Sequence, residues 1–297
     1  MHRVREQIGL SEEIYKNLTE KGVTVAVLDS GIAQHPDLRG RLIDFYDFVG
    51  KRRKPYDNNG HGTHVCGIIC GSGAAHFGKY QGIAPQARLV VGKVLDIRGD
   101  GSTEHMLQGL RWISEIREKY NIRILNISVG IGELKELKKE KRMQEQLELL
   151  WKEGITVVCA AGNKGPENGS ISAIGANTKV ITVGCHDGAF CKENPRRCET
   201  YSGRGEFGAI PRKPDIVAPG TDIISCNAFF QKKLYTKKSG TSMATPIVTG
   251  VLALALQKNP RLTNDELRQK ITFSARDLGE PWNKQGWGMV DAKKMLW

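Results

Sequence analysis

The sequence lacks any long apolar run. The longest apolar stretch, near Ile247 to Leu256, is too short to span a bilayer. The first residues, MHRVREQIGLSEEIYKN, contain no apolar core segment of the kind found in secretory signals. We therefore expect no membrane partner and a cytoplasmic location. The alternative is a mature secreted form stripped of its leader.

The sequence also lacks linkers and repeats. No proline-rich or serine-rich segment divides the 297 residues, and 39% of them are hydrophobic. That length and composition suit one large α/β domain. We predict a single domain over residues 1–297, in which residues 1–20 form an N-terminal extension that packs on the rest.

Acidic residues are in the minority, and the net charge is +12. The basic clusters are interpreted mainly as solvated surface, with attraction of acidic substrates or polyanions as the alternative. They are not interleaved with aromatic residues, and no nucleic-acid recognition motif is present, so we expect no nucleic-acid partner. The sequence does not predict an oligomeric state.

Seven cysteines cannot all pair within one chain. Cys159, Cys185 and Cys226 lie in or beside apolar runs and are predicted to be buried thiols. Cys191 and Cys198 flank a polar loop and could form a bridge, but we favour reduced thiols in a reducing compartment. Nothing in the cysteine spacing indicates zinc, and we predict no metal ligands.

Apolar β-branched runs alternate with helical patterns along the chain. The predicted strands are 23–28, 89–95, 124–129, 155–160 and 180–183, and the predicted helices are 61–70, 103–119, 133–152 and 241–257. Runs that are apolar throughout are typical of parallel strands covered on both faces. The pattern predicts an α/β fold, a doubly wound three-layer sandwich with a mainly parallel sheet, whose site lies at the carboxyl ends of the strands.

Three short strings carry an acid, a base and a hydroxyl nucleophile. They are VAVLDSGI around Asp29, NNGHGTHVCG around His61 and SGTSMATPIVTG around Ser242. A serine hydroxyl becomes nucleophilic when an imidazole takes its proton and a buried carboxylate orients that imidazole. Taken singly, Asp29 could be a turn residue and Ser242 a helix N-cap; together they predict acyl transfer. His64 is interpreted as a structural histidine.

These strings resemble the subtilisin family of serine proteases, as do AAGN, KPDIVAPG and GTSMATP, and the bacterial intracellular or alkaline-protease-like branch in particular. The order Asp, His, Ser is the one found in that family. The resemblance implies that Asn163 donates a hydrogen bond to the oxyanion. Secreted members carry a prodomain, which is not visible in this sequence.

By the same resemblance, an extended substrate peptide would bind between two segments. One is Gly101, Ser102 and Thr103; the other is Ser128, Val129 and Gly130. Gly175 would lie at the open base of the primary specificity pocket, with Lys164 at its rim.

Calcium is where the chain departs from the family. Asp37 matches a family calcium ligand, but the loop that would complete the site, CGSGAAHFGKYQG, contains no Asp, Asn or Glu. We expect no required cofactor and leave a weak calcium site near Asp215 open, with a structural aspartate as the alternative.

The sequence therefore predicts a serine endopeptidase that acts on peptides or proteins through an acyl-enzyme. One alternative is a catalytically idle regulator on the same fold. A second is a basic polyanion-binding module.

Overall fold

Seven parallel strands form the centre of the molecule. The computed structural model describes residues 1–16, 18, 22–129, 137–190 and 197–297. The sheet has the order β2-β3-β1-β4-β5-β6-β7, with strands β1 Thr24–Asp29, β2 Leu42–Asp47, β3 Arg88–Lys93, β4 Ile122–Ile127, β5 Thr156–Ala160, β6 Val180–Cys185 and β7 Ile216–Ala218. Two further strands, β8 Ile223–Cys226 and β9 Tyr235–Lys238, pair as a separate antiparallel hairpin.

Helices cover both faces of the sheet. They are α1 His2–Gln7, α2 Glu12–Lys16, α3 His61–Cys70, α4 Thr103–Tyr120, α5 Leu137–Lys152, α6 Thr241–Lys258, α7 Asn264–Phe273, α8 Trp282–Gln285 and α9 Ala292–Leu296. In β1, Val25 and Val27 pack towards α3 and α6, whereas Ala26 and Leu28 pack towards α4 and α5. This alternation confirms the predicted three-layer α/β sandwich. No described helix combines the length and apolarity needed to cross a membrane.

The N-terminal segment packs on the first of these two cores. Met1, Val4, Ile8, Leu10 and Ile14 are all buried among its residues. The carbonyl of Ile8 also accepts a hydrogen bond from the N–H of Ala292, at 2.7 Å. Residues 1–16 are therefore bound to the domain by apolar burial and by backbone pairing with the C-terminal segment.

Two strands of the central sheet, one polar and one short, were not predicted from the sequence. The edge strand β2 reads LIDFYD and is only half-buried along much of its length, and β7 is a three-residue strand. Neither gives the long apolar run that marked the central strands. Predicted helix 61–70 is confirmed in full, while residues 133–136 of the third predicted helix lie outside the described residues.

The cysteine pairing differs from the prediction. Cys185, at the end of β6, forms a disulfide with Cys198, and their Cα atoms are 5.7 Å apart, within the range that a disulfide requires. The predictions of thiols at Cys185 and Cys198 were wrong because the chain returns beside the end of β6 at the short helical turn Cys198–Thr200. Cys191 lies outside the described residues.

Candidate active site

Asp29 and His61 form a hydrogen-bonded pair at the carboxyl end of β1. Asp29 is fully buried, and its Oδ1 and Oδ2 lie 2.8 Å and 3.0 Å from His61 Nδ1. The N–H of Ser30 donates to the same Oδ1 at 2.7 Å. A carboxylate at Nδ1 fixes the proton there, which leaves Nε2 of His61 as the acceptor.

The carboxylate changes the basicity of the imidazole. Burial alone would lower the pKa of His61, but the charge of Asp29 and its hydrogen bond outweigh burial and raise the pKa above the ordinary 6.5. About a fifth of the His61 side chain, 22%, remains exposed. His61 is thus a strengthened base that a reactant can reach.

Asp57 holds the start of helix α3, on which His61 is the first residue. Its carboxylate accepts hydrogen bonds from the N–H groups of Gly60 and Thr63, at 2.8 Å and 2.9 Å. Ser30 Oγ donates to Asp57 at 2.9 Å and accepts from the N–H of Gly62 at 2.9 Å. Asp57 was not predicted as a site residue, although an aspartate shortly before a helix is a signal for hydrogen bonds to the free N–H groups at its start.

Lys93 lies beneath the same turn and was also missed. It pairs in register with Asp29 across the β1–β3 ladder and is almost fully buried. Its Nζ donates to the carbonyls of Ser30 and Leu95, at 2.8 Å and 2.6 Å, and to Asn58 Oδ1 at 3.0 Å. A lysine inside an apolar strand, VVGKVL, was the available signal, because buried cations require such partners.

Asn163 is bound to the start of helix α6, which carries Ser242. Asn163 Oδ1 accepts from the N–H and the hydroxyl of Thr241, at 3.1 Å and 3.0 Å. Its Nδ2 makes no hydrogen bond within the described residues. Gly240 has φ +137°, and a Cβ there would lie 3.2 Å from that Nδ2, so glycine keeps the amide accessible.

The Asp29–His61 pair and the Asn163–Thr241 pair lie at the same edge of the sheet. Asp29 ends β1 and Asn163 follows the end of β5, while helices α3 and α6 pack side by side. Lys238, which closely precedes Ser242, lies near enough to His61 for its charge to oppose protonation of the imidazole. Ser242 is half-buried in the first turn of α6.

His64 has a structural role, as the sequence analysis proposed. It is fully buried, and its Nε2 lies 3.0 Å and 3.2 Å from the carbonyls of Ile223 and Thr236. Burial lowers the pKa of His64 to about 3. His64 therefore remains neutral and holds hairpin β8–β9 against α3.

The predicted substrate-binding segments lie at the ends of two strands. Ser102 is exposed and caps helix α4 by accepting from the N–H of His105 at 3.0 Å, with Gly101 exposed and Thr103 half-buried beside it. Ser128 and Val129 follow β4 and are buried. Lys164 is exposed, and Gly130 lies outside the described residues.

The expectation of an open pocket floor at Gly175 is not supported. Gly175 is buried, and a Cβ there would lie 2.9 Å from Ser172 Oγ and 3.0 Å from Thr182 Cγ2. Ser172 is half-buried instead, and its N–H donates to the carbonyl of Ala161 at 2.8 Å. Ser172 therefore lies beside the backbone of Ala160 and Ala161, just before Asn163. Gly175 packs against Ser172 on the buried side.

Asp215 does not fit calcium. Its two carboxylate oxygens bind the cations of Lys213 and Arg268, at 2.6 Å and 2.7 Å, and Oδ2 also accepts from the N–H of Thr182. Burial would raise the pKa of Asp215, but the two cations hold it below its ordinary value. The charge of Asp215 that would attract calcium is already neutralised, which favours the structural aspartate that the sequence left open as the alternative.

Asp37 does not fit calcium either. Its Oδ2 accepts from the Tyr235 hydroxyl at 2.7 Å, and its Oδ1 accepts from the N–H of Ala75 at 2.8 Å and from Ser72 Oγ at 3.3 Å. The metal-capable side chains beside it are His35 and Cys226, which do not supply the oxygens that calcium needs. The Tyr235 hydroxyl is the strongest side-chain donor to this carboxylate.

The chain has clear relatives among known proteins. Residues 20–288 match the profile of the subtilase family. The chain is 41% identical to serine protease AprX of Bacillus subtilis strain 168, over 96% of this chain and 69% of that one. It is 35% identical to Subtilisin Savinase of Lederbergia lenta, over 94% and 92%. The structure of Sphericase matches with a TM-score of 0.80 at 27% identity, over 97% and 96% of the two chains.

Tyr235→Phe is expected to destabilise the protein, because it leaves a buried oxygen of Asp37 without its donor. Such a loss costs about 1–3 kcal/mol, or roughly 2–5 °C in melting temperature for a domain of this size. Tyr80→Phe is the matched control: its ring contacts Tyr235 at 4.4 Å, but its hydroxyl makes no hydrogen bond within the described residues.

A chelator should leave the wild-type melting curve unchanged, and a chelator-induced drop of more than about 10 °C would show that calcium is structurally important.

Cys66 should resist thiol reagents in the native enzyme. It is fully buried on α3, and burial raises the pKa of its thiol well above the ordinary value, so almost no reactive thiolate is present. After incubation with N-ethylmaleimide, mass spectrometry should find Cys66 unmodified and activity retained. The same treatment in guanidinium should label it. The prediction would be contradicted if the reagent modified native Cys66 and inactivated the enzyme, while the Cys66→Ala variant kept its activity under the same treatment.

Proposed function

The chain belongs to the subtilase family of serine proteases and is a serine endopeptidase, and we propose that Asp29, His61, Ser242 and Asn163 carry its chemistry. Ser242 Oγ attacks the scissile carbonyl as His61 Nε2 takes its proton. Asp29 orients His61 and stabilises the imidazolium that forms. The single observation that carries this proposal is the buried Asp29–His61 hydrogen bond of 2.8 Å.

The oxyanion has two donors in this scheme. One is the Asn163 amide nitrogen, which makes no hydrogen bond to any described residue, since Thr241 binds only Oδ1. The other is the N–H of Ser242, in the first turn of α6, where backbone N–H groups are unpaired and the helix dipole is positive. Donors fixed in place before the reaction stabilise the developing charge without reorganisation.

The second half of the reaction reuses the same groups. His61, now protonated, gives its proton to the leaving amine, and the acyl group remains on Ser242 Oγ. Water then attacks the acyl carbon while His61 takes its proton; as the bond from the acyl carbon to Ser242 Oγ breaks, His61 returns that proton to Oγ and the acid product leaves. Asp29 stays ionised throughout and keeps the imidazole in one orientation.

The substrates are peptides or proteins. We propose that the acyl part of the chain binds as an extended strand between Gly101–Thr103 and Ser128–Val129. Ser172 is proposed to border the primary pocket, since its backbone pairs with Ala161 beside Asn163.

The cytoplasmic location stays a prediction. Cys66, Cys70, Cys159 and Cys226 are unpaired, as a reducing compartment allows, whereas the Cys185–Cys198 disulfide is typical of an oxidising one. Cell fractionation followed by immunodetection tests the location.

Ser242→Ala should abolish peptide hydrolysis and labelling by a fluorophosphonate probe, while the melting temperature stays unchanged. His61→Ala should lower kcat/KM by at least about 10²–10⁴-fold, the range for loss of a general base.

His64→Ala should lower the melting temperature instead, because two backbone carbonyls lose their buried donor. Activity per folded molecule should be kept in this third variant.

Two outcomes would contradict the proposed roles of Ser242 and His61. A wild-type enzyme that neither hydrolyses peptides nor reacts with the probe would indicate an idle regulator. Retained activity in His61→Ala, with loss of activity in a fully folded His64→Ala, would show that the base has been assigned to the wrong histidine.

A further inference from the structure

Hairpin β8–β9 approaches the active site from outside the central sheet. Ser225 Oγ on β8 donates to the carbonyl of His64 at 2.8 Å, so the hairpin packs directly on α3. After β8 the chain also passes the start of that helix: a Cβ on Gly60 would lie 3.6 Å from the ring of Phe229, which is 49% exposed. The hairpin and the segment within it therefore border His61.

The last two residues of β9 are lysines with different surroundings. Lys237 points outwards, with 62% of its side chain exposed, and lies 3.9 Å from Asp222. Lys238, the cross-strand partner of Ile223, is half-buried and makes no ion pair within the described residues. A half-buried cation without a neutralising partner is a strong attractor for an anionic group.

The charge of Lys238 acts on the two histidines of helix α3. Burial lowers the pKa of His64, and Lys238 is the charge that acts most strongly in the same direction. It also opposes the rise in the pKa of His61 that Asp29 produces. Lys238 therefore lies close to the imidazole that must hand a proton to the leaving amine.

The position of the hairpin relative to the sheet indicates which part of a substrate it meets. Ser128–Val129 and Gly101–Thr103, where the acyl part is proposed to bind, follow β4 and β3 of the central sheet. The hairpin instead lies against α3, the helix that begins at His61. Because His61 gives its proton to the leaving amine, the residue that carries this amine would lie beside the helix that the hairpin covers.

We propose that Lys238 makes this enzyme prefer substrates with an acidic residue directly after the scissile bond. This inference rests on the proposed function and deepens it. A Glu or Asp side chain there would reach a cation that forms no ion pair with any described residue, whereas Lys or Arg would be repelled.

The test uses internally quenched peptides that differ only in the residue after the cleaved bond, which is Glu, Gln or Lys. Mass spectrometry of the products fixes the cleavage position. For the wild type we expect kcat/KM to be about 3- to 10-fold higher for Glu than for Gln, and lower again for Lys, as a partly buried charge pair would give. The difference should shrink at high salt.

Variants separate a local contact from a general field. Lys238→Gln should remove the Glu preference, and Lys238→Glu should reverse it in favour of Lys. Lys237→Gln removes the same charge one position away on the same strand and should keep the wild-type preference. Melting curves of all three variants check that the hairpin remains folded.

Equal cleavage of the Glu and Gln peptides by the wild type would overturn the role of Lys238 and leave the protease activity intact. An equal loss of preference in Lys237→Gln and Lys238→Gln would also overturn it, because the effect would then come from overall charge. Failure to cleave any of the peptides would contradict the proposed function itself, and with it this inference.

Discussion

Asp29 is a charge without contact to water, and the active site is arranged around it. A buried carboxylate is stable only when hydrogen bonds replace its hydration, and Asp29 receives them from Ser30 N–H and His61 Nδ1. Ser30 connects this point to the start of α3 through Asp57, and Lys93 fixes the carbonyl of the same residue from below. The position of the base therefore follows from how one carboxylate is satisfied.

Four buried aspartates show how the partner decides the role. Asp215 is neutralised by Lys213 and Arg268, and Asp57 by the N-terminus of a helix. Asp37 is held by a tyrosine hydroxyl and a backbone N–H. These partners do not exchange protons near neutral pH, so the three aspartates are structural. Of the four, Asp29 is the one whose carboxylate is hydrogen-bonded to a histidine, and that histidine is the base.

The sequence predicted the parts of this account that depend on local patterns. The central strands and the helix at His61 follow from apolar runs and the motif strings, and so does the position of Asp29 at a strand end. Hairpin β8–β9 was not predicted because each strand has only four residues and β9, which reads YTKK, has no apolar period. Lys93 and the Cys185–Cys198 pair depend on which segments the fold brings together, and Gly175 was misplaced because its position was inferred through a loop. These are tertiary facts that spacing alone does not contain.

The ionisation of His61 tests the central claim most directly. Histidine-labelled enzyme in the inactive Ser242→Ala background can be titrated by NMR, with the His61 signal assigned from its loss in a His61→Gln variant. The account predicts a pKa of His61 above 6.5 with Asp29 present. With Asp29→Asn it predicts a pKa below 6.5, because burial remains when the charge is gone. The same pKa in both proteins would contradict the claim that Asp29 sets the strength of the base.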